Sequence, residues 1–123
     1  MKIVLDGEDA IILEEGPEPL SIEAESAHQV YSPFHMIGSG LAACTYSVLQ
    51  SWADHAGLEI GGLRVRVSWT FAEDPHRVGT MAVGIEWPQL PAERRTAAAR
   101  VAEKCAVHQT LTHPPEIRLE VTS

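Results

Sequence analysis

Residues 32–57 constrain the fold more than any other stretch, because they carry both ends of one long helix and an unbroken helical pattern between them. Ser32-Pro33 supplies an N-cap side chain and a proline at the first helical position, where its missing N–H costs nothing. Gly57 stands where a left-handed residue ends a helix. Between them Leu41, Cys44/Thr45, Val48/Leu49 and Trp52 share one stripe at helical spacing. Gly38, Ser39, Gly40, Ala42 and Ala43 leave the helix thin enough for close packing. The third residue after Ser32 is His35, so the usual Glu/Gln of a capping box is absent. The pattern predicts a central, mostly buried helix over residues 33–56.

The flanks read as strands. Ile3 and Leu5 alternate with Val4 and Asp6, Gly7-Glu8-Asp9 turns, Ile11–Leu13 follows, and Gly16-Pro17-Glu18-Pro19 breaks the chain again. Residues 26–32 read as a loop. After Gly61-Gly62, Leu63, Val65, Val67, Trp69 and Phe71 alternate with Arg64, Arg66, Ser68 and Thr70. Asp74-Pro75-His76 turns, and Met81, Val83, Ile85 and Trp87 mark a second half-buried strand. The pair predicts an antiparallel hairpin with one wet face. Pro91 opens a second helix with Ala98, Val101, Ala102 and Cys105 on its apolar side. Ile117, Leu119 and Val121, alternating with Arg118 and Glu120, predict a final strand. The order β–β–β–α–β–β–α–β is that of an α+β chain. Its 123 residues suit a single domain over 1–123.

Charge excludes some partners. The formal net charge is -8, with 9 Lys and Arg in all and no basic cluster beyond Arg64/Arg66 and Arg94/Arg95. That footprint argues against nucleic acid and anionic membranes. No apolar run reaches the roughly 18 residues of a membrane span, and Met1–Asp6 lacks signal-peptide character. A cytoplasmic location with reduced thiols is the expectation.

Four kinds of chemistry can be weighed. Gly38-Ser39-Gly40-Leu41-Ala42-Ala43 fits G-x-G-x-x-A, but it falls inside a helix that Ser32-Pro33 has already opened, so no nucleotide cofactor is expected. The six histidines and two cysteines show no C-x-x-C or H-x-x-x-H spacing, so no metal is expected. Cys44 or Ser39 with His35, His55 or His108 carries no local hydrolase signature. Cys44 and Cys105 remain, either as a reactive pair or as two buried thiols. Cys44 lies three turns into its helix, beyond reach of the macrodipole, so its reactivity requires a nearby cation or hydrogen-bond donor.

Local motifs favour the reactive pair. The segment Ser32-Pro33-Phe34-His35-Met36-Ile37-Gly38-Ser39-Gly40-Leu41-Ala42-Ala43-Cys44-Thr45 resembles the central-helix motif of the OsmC/Ohr family, the osmotically inducible and organic hydroperoxide resistance proteins. Ala102-Glu103-Lys104-Cys105-Ala106-Val107-His108 resembles its second-cysteine segment, and the resemblance covers roughly residues 30–121. It implies antiparallel sheets packed around a central buried helix and a second helix, in an intertwined homodimer with sites at the dimer interface. It implies a thiol peroxidase for oxidative stress defence, with Cys44 peroxidatic and Cys105 resolving, reset by an external dithiol reductant. The apolar surroundings of Cys44 suit an organic hydroperoxide. Phe34, His35 and His108 are expected to line the substrate pocket.

The chain departs from the family pattern at the Glu that follows the helix-opening Pro and orients a thiolate-supporting Arg. Phe34 holds that position, and residues 1–63 contain no Arg and only Lys2. His35, His108 or a partner chain's Arg64 or Arg66 are the available substitutes. A second reading therefore stands beside the first: an OsmC-like homodimer without peroxidase activity that binds an apolar small molecule.

Overall fold

The computed structural model describes residues 1–16 and 18–123. Pro17, within the predicted break at 16–19, lies outside the described residues. Five strands form one sheet: β1 (Lys2–Leu5), β2 (Ala10–Glu14), β3 (Ser21–Glu23), β4 (Arg64–Ala72) and β5 (Arg77–Glu86), in the order β3-β1-β2-β4-β5. All neighbours are antiparallel except β1 and β3, which run parallel. The α+β expectation holds, with the strands gathered in one sheet whose single parallel pairing is β1 with β3. Among the described residues there are three α-helices: α1 (Pro33–Ala56), α2 (Arg95–Glu103, after a single 3-10 turn at Ala92–Arg94) and α3 (Ala106–Thr112).

Helix α1 has the predicted bounds, and its ends explain why. Ser32 Oγ accepts the His35 N–H at 3.2 Å, and His35 Nδ1 accepts the Ser32 N–H at 3.1 Å. His35 therefore completes the capping box that usually needs Glu or Gln. Gly57 closes the helix with φ 68°.

The alternation read in β2 and β4 fixes the core. Ile11 pairs with Val67 and Leu13 with Val65, all four fully buried under Leu41, Ala42, Leu49 and Ala53 of α1. Gly38 meets Trp69 so closely that a Cβ there would lie 2.7 Å from the indole Cζ3. The small residue serves a ring, and only one side of α1 is buried: Met36 and Gly40 face outward. On the sheet's other face Arg64 pairs with Glu14 and Glu86, and Arg66 with Asp6, at 2.9–3.1 Å.

Two expectations are corrected. The segment predicted as a final strand forms none: Ile117, Leu119 and Val121 are 81%, 92% and 96% exposed. A strand needs a partner ladder, and no strand of the same chain lies beside this segment. The second helix also stops early, at Glu103, and Cys105 stands between two helices rather than on the face of one.

Candidate functional site

The chain reverses at Lys104–Cys105. Cys105 adopts φ -55° and ψ 131°, an extended conformation that ends α2 and starts α3. Its wholly buried sulfur takes the place of an N-cap oxygen, accepting the His108 N–H at 3.4 Å. That geometry turns the first N–H groups of α3 toward α1, where Cys44 lies half-buried.

Both cysteines are free thiols, and the Cys105 side chain lies within hydrogen-bonding reach of Cys44. Burial pushes the Cys44 thiol up. Hydrogen bonds from the Cys105 side chain and from the N–H groups of Val107 and Ala106 more than offset this, and leave Cys44 below the ordinary thiol range. Cys105 moves the other way. Burial raises it, its hydrogen bond to Cys44 raises it again, and the N–H groups of His108 and Val107 offset only part. The two thiols are thus shifted in opposite directions, Cys44 toward the thiolate and Cys105 toward the protonated form.

A groove of about 380 Å³ lies between α1, α3 and β5; neither cysteine lines it. Ile37, Leu41, Val78, Met81, Val83 and Leu111 give it apolar walls, and His108 lines it too. Leu41 is one turn before Cys44, and His108 is one turn after Cys105.

Within one chain, Cys44, Cys105 and His108 are brought together, whereas Phe34 and His35 are not among them. Ten residues of helix, about 15 Å, separate Phe34 from Cys44. Phe34 packs edge-on against Phe71 with centroids 4.9 Å apart. His35 is buried with both ring nitrogens engaged, Nδ1 with Ser32 and Nε2 donating to Gly7 O at 3.0 Å. Together with Glu8, Asp9 and His28 they line a separate pocket at the start of α1.

The residues that sequence reasoning missed are Ala106 and Val107, which act through backbone N–H groups. No side-chain pattern announces them, and cysteine lies outside the usual capping set that would have marked the break before α3. The Gly38–Ala43 motif lies inside α1, with Gly38 against Trp69, rather than at a strand-to-helix turn. Among the described residues no group of three or more His, Cys, Asp or Glu is gathered for a metal, and no helix is long and apolar enough to cross a membrane.

A sequence model of the family described as OsmC-like protein matches residues 26–120, which include both cysteines, α1 and the β4–β5 hairpin. The chain belongs to the OsmC-like family. No curated protein matches it. Crystal structures share its fold. A protein from Psychrobacter arcticus 273-4, described as osmotic stress induced and of the detoxification response, superposes with a TM-score of 0.62. It is 18% identical, over 88% of this chain and 84% of its own. An OsmC-like hydroperoxide resistance protein from Jannaschia sp. CCS1 gives a TM-score of 0.59 at 23% identity, over 80% of this chain and 71% of its own. At these identities the likeness is one of fold. The OsmC-like assignment rests on the family match and covers the site, while β1–β3 precede the matched residues.

Proposed function

We propose that this OsmC-like protein is a thiol peroxidase that reduces organic hydroperoxides through Cys44 and Cys105, serving oxidative stress defence in the cytoplasm. One observation carries the reading: the Cys105 thiol and two α3 N–H groups lie against the Cys44 sulfur and draw its pKa down, one helical turn from the Leu41 wall of an apolar groove. A cysteine in an apolar pocket without donors would be inert. Backbone amides here do the work for which the family's Glu and Arg are absent.

The chemistry balances with two thiols. Cys44 thiolate attacks the terminal oxygen of ROOH, the S–O bond forms, the O–O bond breaks, and the alkoxide leaves as ROH after gaining a proton. Cys105 then attacks the Cys44 sulfenic acid, the S–S bond forms, and water leaves. An external dithiol reductant returns both thiols.

The working form is proposed as a homodimer. Exposed Met36, Ile37 and Leu111 and the bare tail residues Ile117, Leu119 and Val121 support it. In that reading Phe34 and His35 reach a Cys44 site only from the second copy, at the dimer interface.

The second reading, apolar binding without reduction, draws on Arg64 and Arg66. Both are held in ion pairs on the sheet face opposite α1, so they supply no guanidinium to Cys44 of their own chain. Intact mass after brief exposure of reduced protein to cumene hydroperoxide separates the two. Loss of two hydrogens and both thiols supports the peroxidase; two free thiols at millimolar peroxide refute it and leave the binding reading.

A further inference from the structure

The alkoxide that leaves an organic hydroperoxide is a poor leaving group unless a proton reaches it as the O–O bond breaks. The groove whose wall includes Leu41, one turn of α1 from Cys44, is nearly empty of groups able to supply one. Six of its lining side chains are hydrocarbon or thioether. Of its two hydroxyls, Thr80 is hydrogen-bonded to Thr70 and Thr112 donates to His108 O at 2.9 Å. Neither arginine nor lysine lines it.

His108 is the one titratable residue in that lining. Its position is fixed from both sides. Its N–H is given to Cys105 Sγ and its carbonyl accepts Thr112 Oγ1, which holds the residue in the first turn of α3. Its half-buried ring carries no hydrogen bond among the described residues, so both nitrogens are free to exchange a proton. His35, by contrast, has both nitrogens occupied.

We propose that His108 is a catalytic residue of this peroxidase, the general acid that protonates the departing alkoxide. The inference rests on the peroxidase reading above and names the source of the proton that reading requires. The His108 imidazole takes up the proton it delivers from solvent, independently of how Cys44 ionises. As the sulfur takes the terminal hydroxyl of ROOH, the electron pair of the O–O bond goes to the alkoxide oxygen, and His108 hands it the proton. ROH and Cys44 sulfenic acid result, and the neutral imidazole left behind is reprotonated from solvent.

The test compares two oxidants on His108→Gln. Cumene hydroperoxide expels an alkoxide and needs the acid, whereas peracetic acid expels acetate and does not. The expected result is a loss of about a hundredfold in the rate of Cys44 oxidation by cumene hydroperoxide. Peracetic acid should oxidise the same variant at the wild-type rate, which also reports an intact site. Equal losses with both oxidants, or no loss with either, would overturn the assignment. A second measurement avoids the variant: wild-type protein should show a normal solvent deuterium isotope effect with cumene hydroperoxide and none with peracetic acid, and its absence in both counts against His108. Wild-type protein that reacts with peracetic acid but not with cumene hydroperoxide would instead sink the peroxidase reading itself.

Discussion

The Cys105 thiol donates a hydrogen bond to Cys44, and this single contact moves the two groups in opposite directions. Cys44 is drawn below the ordinary thiol range while Cys105 is held above it. Burial acts upward on both, so the asymmetry comes from which sulfur accepts. Cys44 also receives the N–H groups of Val107 and Ala106, and it is the sulfur with access to solvent.

Replacing Cys105 by Ala should therefore raise the Cys44 pKa. The midpoint of iodoacetamide alkylation at Cys44 should lie below about 8.5, the ordinary thiol value, in wild-type protein, and should move up in Cys105→Ala. An unmoved midpoint would show that the amides alone hold the thiolate. Cys44→Ser should lose all peroxide reduction while its circular dichroism stays that of wild type; surviving activity would refute the nucleophile.

Stability should follow the same pair with pH. Between the lowered pKa of Cys44 and that of an unfolded thiol, the unfolded chain binds a proton that the folded chain has shed, so stability rises with pH. Between the unfolded value and the raised pKa of Cys105, the folded chain keeps a proton that the unfolded chain loses, so stability falls. Urea midpoints of reduced protein should thus peak near pH 8–9, about the unfolded thiol value. Cys44→Ser should lack the rising limb and Cys105→Ala the falling one; identical profiles in all three would exclude the coupling.

How much of this was legible depended on whether side chains or backbone carried the signal. The bounds of α1, its buried stripe and the β4–β5 hairpin follow from caps and apolar spacing, which a sequence displays. The α2–α3 break does not, because Cys105 caps with a sulfur and Lys104 carries no helix-stopping signal. Ala106 and Val107 were invisible because their contribution is an N–H that every residue but proline has. The alternation at 117–121 predicted a strand that does not form, because alternation names no partner.

Gly38 gives a test of packing. A methyl group there would overlap the Trp69 ring at 2.7 Å, and Trp69 is itself buried and edge-on to His35. Gly38→Ala should cost about 1–3 kcal/mol despite the better helix propensity of alanine. Gly40→Ala, with nothing within 4 Å, should be neutral or slightly stabilising. Equal denaturation midpoints for the two would mean the ring yields without cost.

His35 ties the start of α1 to the β1–β2 turn, through Ser32 on one nitrogen and Gly7 O on the other. Ser32→Ala should cost about 1 kcal/mol, an ordinary N-cap loss. His35→Ala should cost more, about 2–4 kcal/mol, because it removes two hydrogen bonds and leaves a cavity beside Trp69. Thermal unfolding at fixed pH checks both, and a smaller loss for His35→Ala than for Ser32→Ala would show that the Gly7 contact contributes nothing.

The tail offers the last and largest effect. Ile117, Leu119 and Val121 are nearly bare while Arg118 and Glu120 alternate with them, a pattern whose apolar face has no reason to exist unless something covers it. If a second copy does, each side chain adds roughly 1.5–3 kcal/mol of burial. Replacing Ile117 and Leu119 together by Lys should then weaken the dimer by about a thousandfold in Kd. Light scattering at micromolar concentration should read wild-type protein as a dimer and the double variant as a monomer, with α1 helicity retained in both. A variant that stays dimeric would move the interface to the exposed side of α1, where Met36 and Ile37 lie. A wild-type monomer would overturn the homodimer altogether.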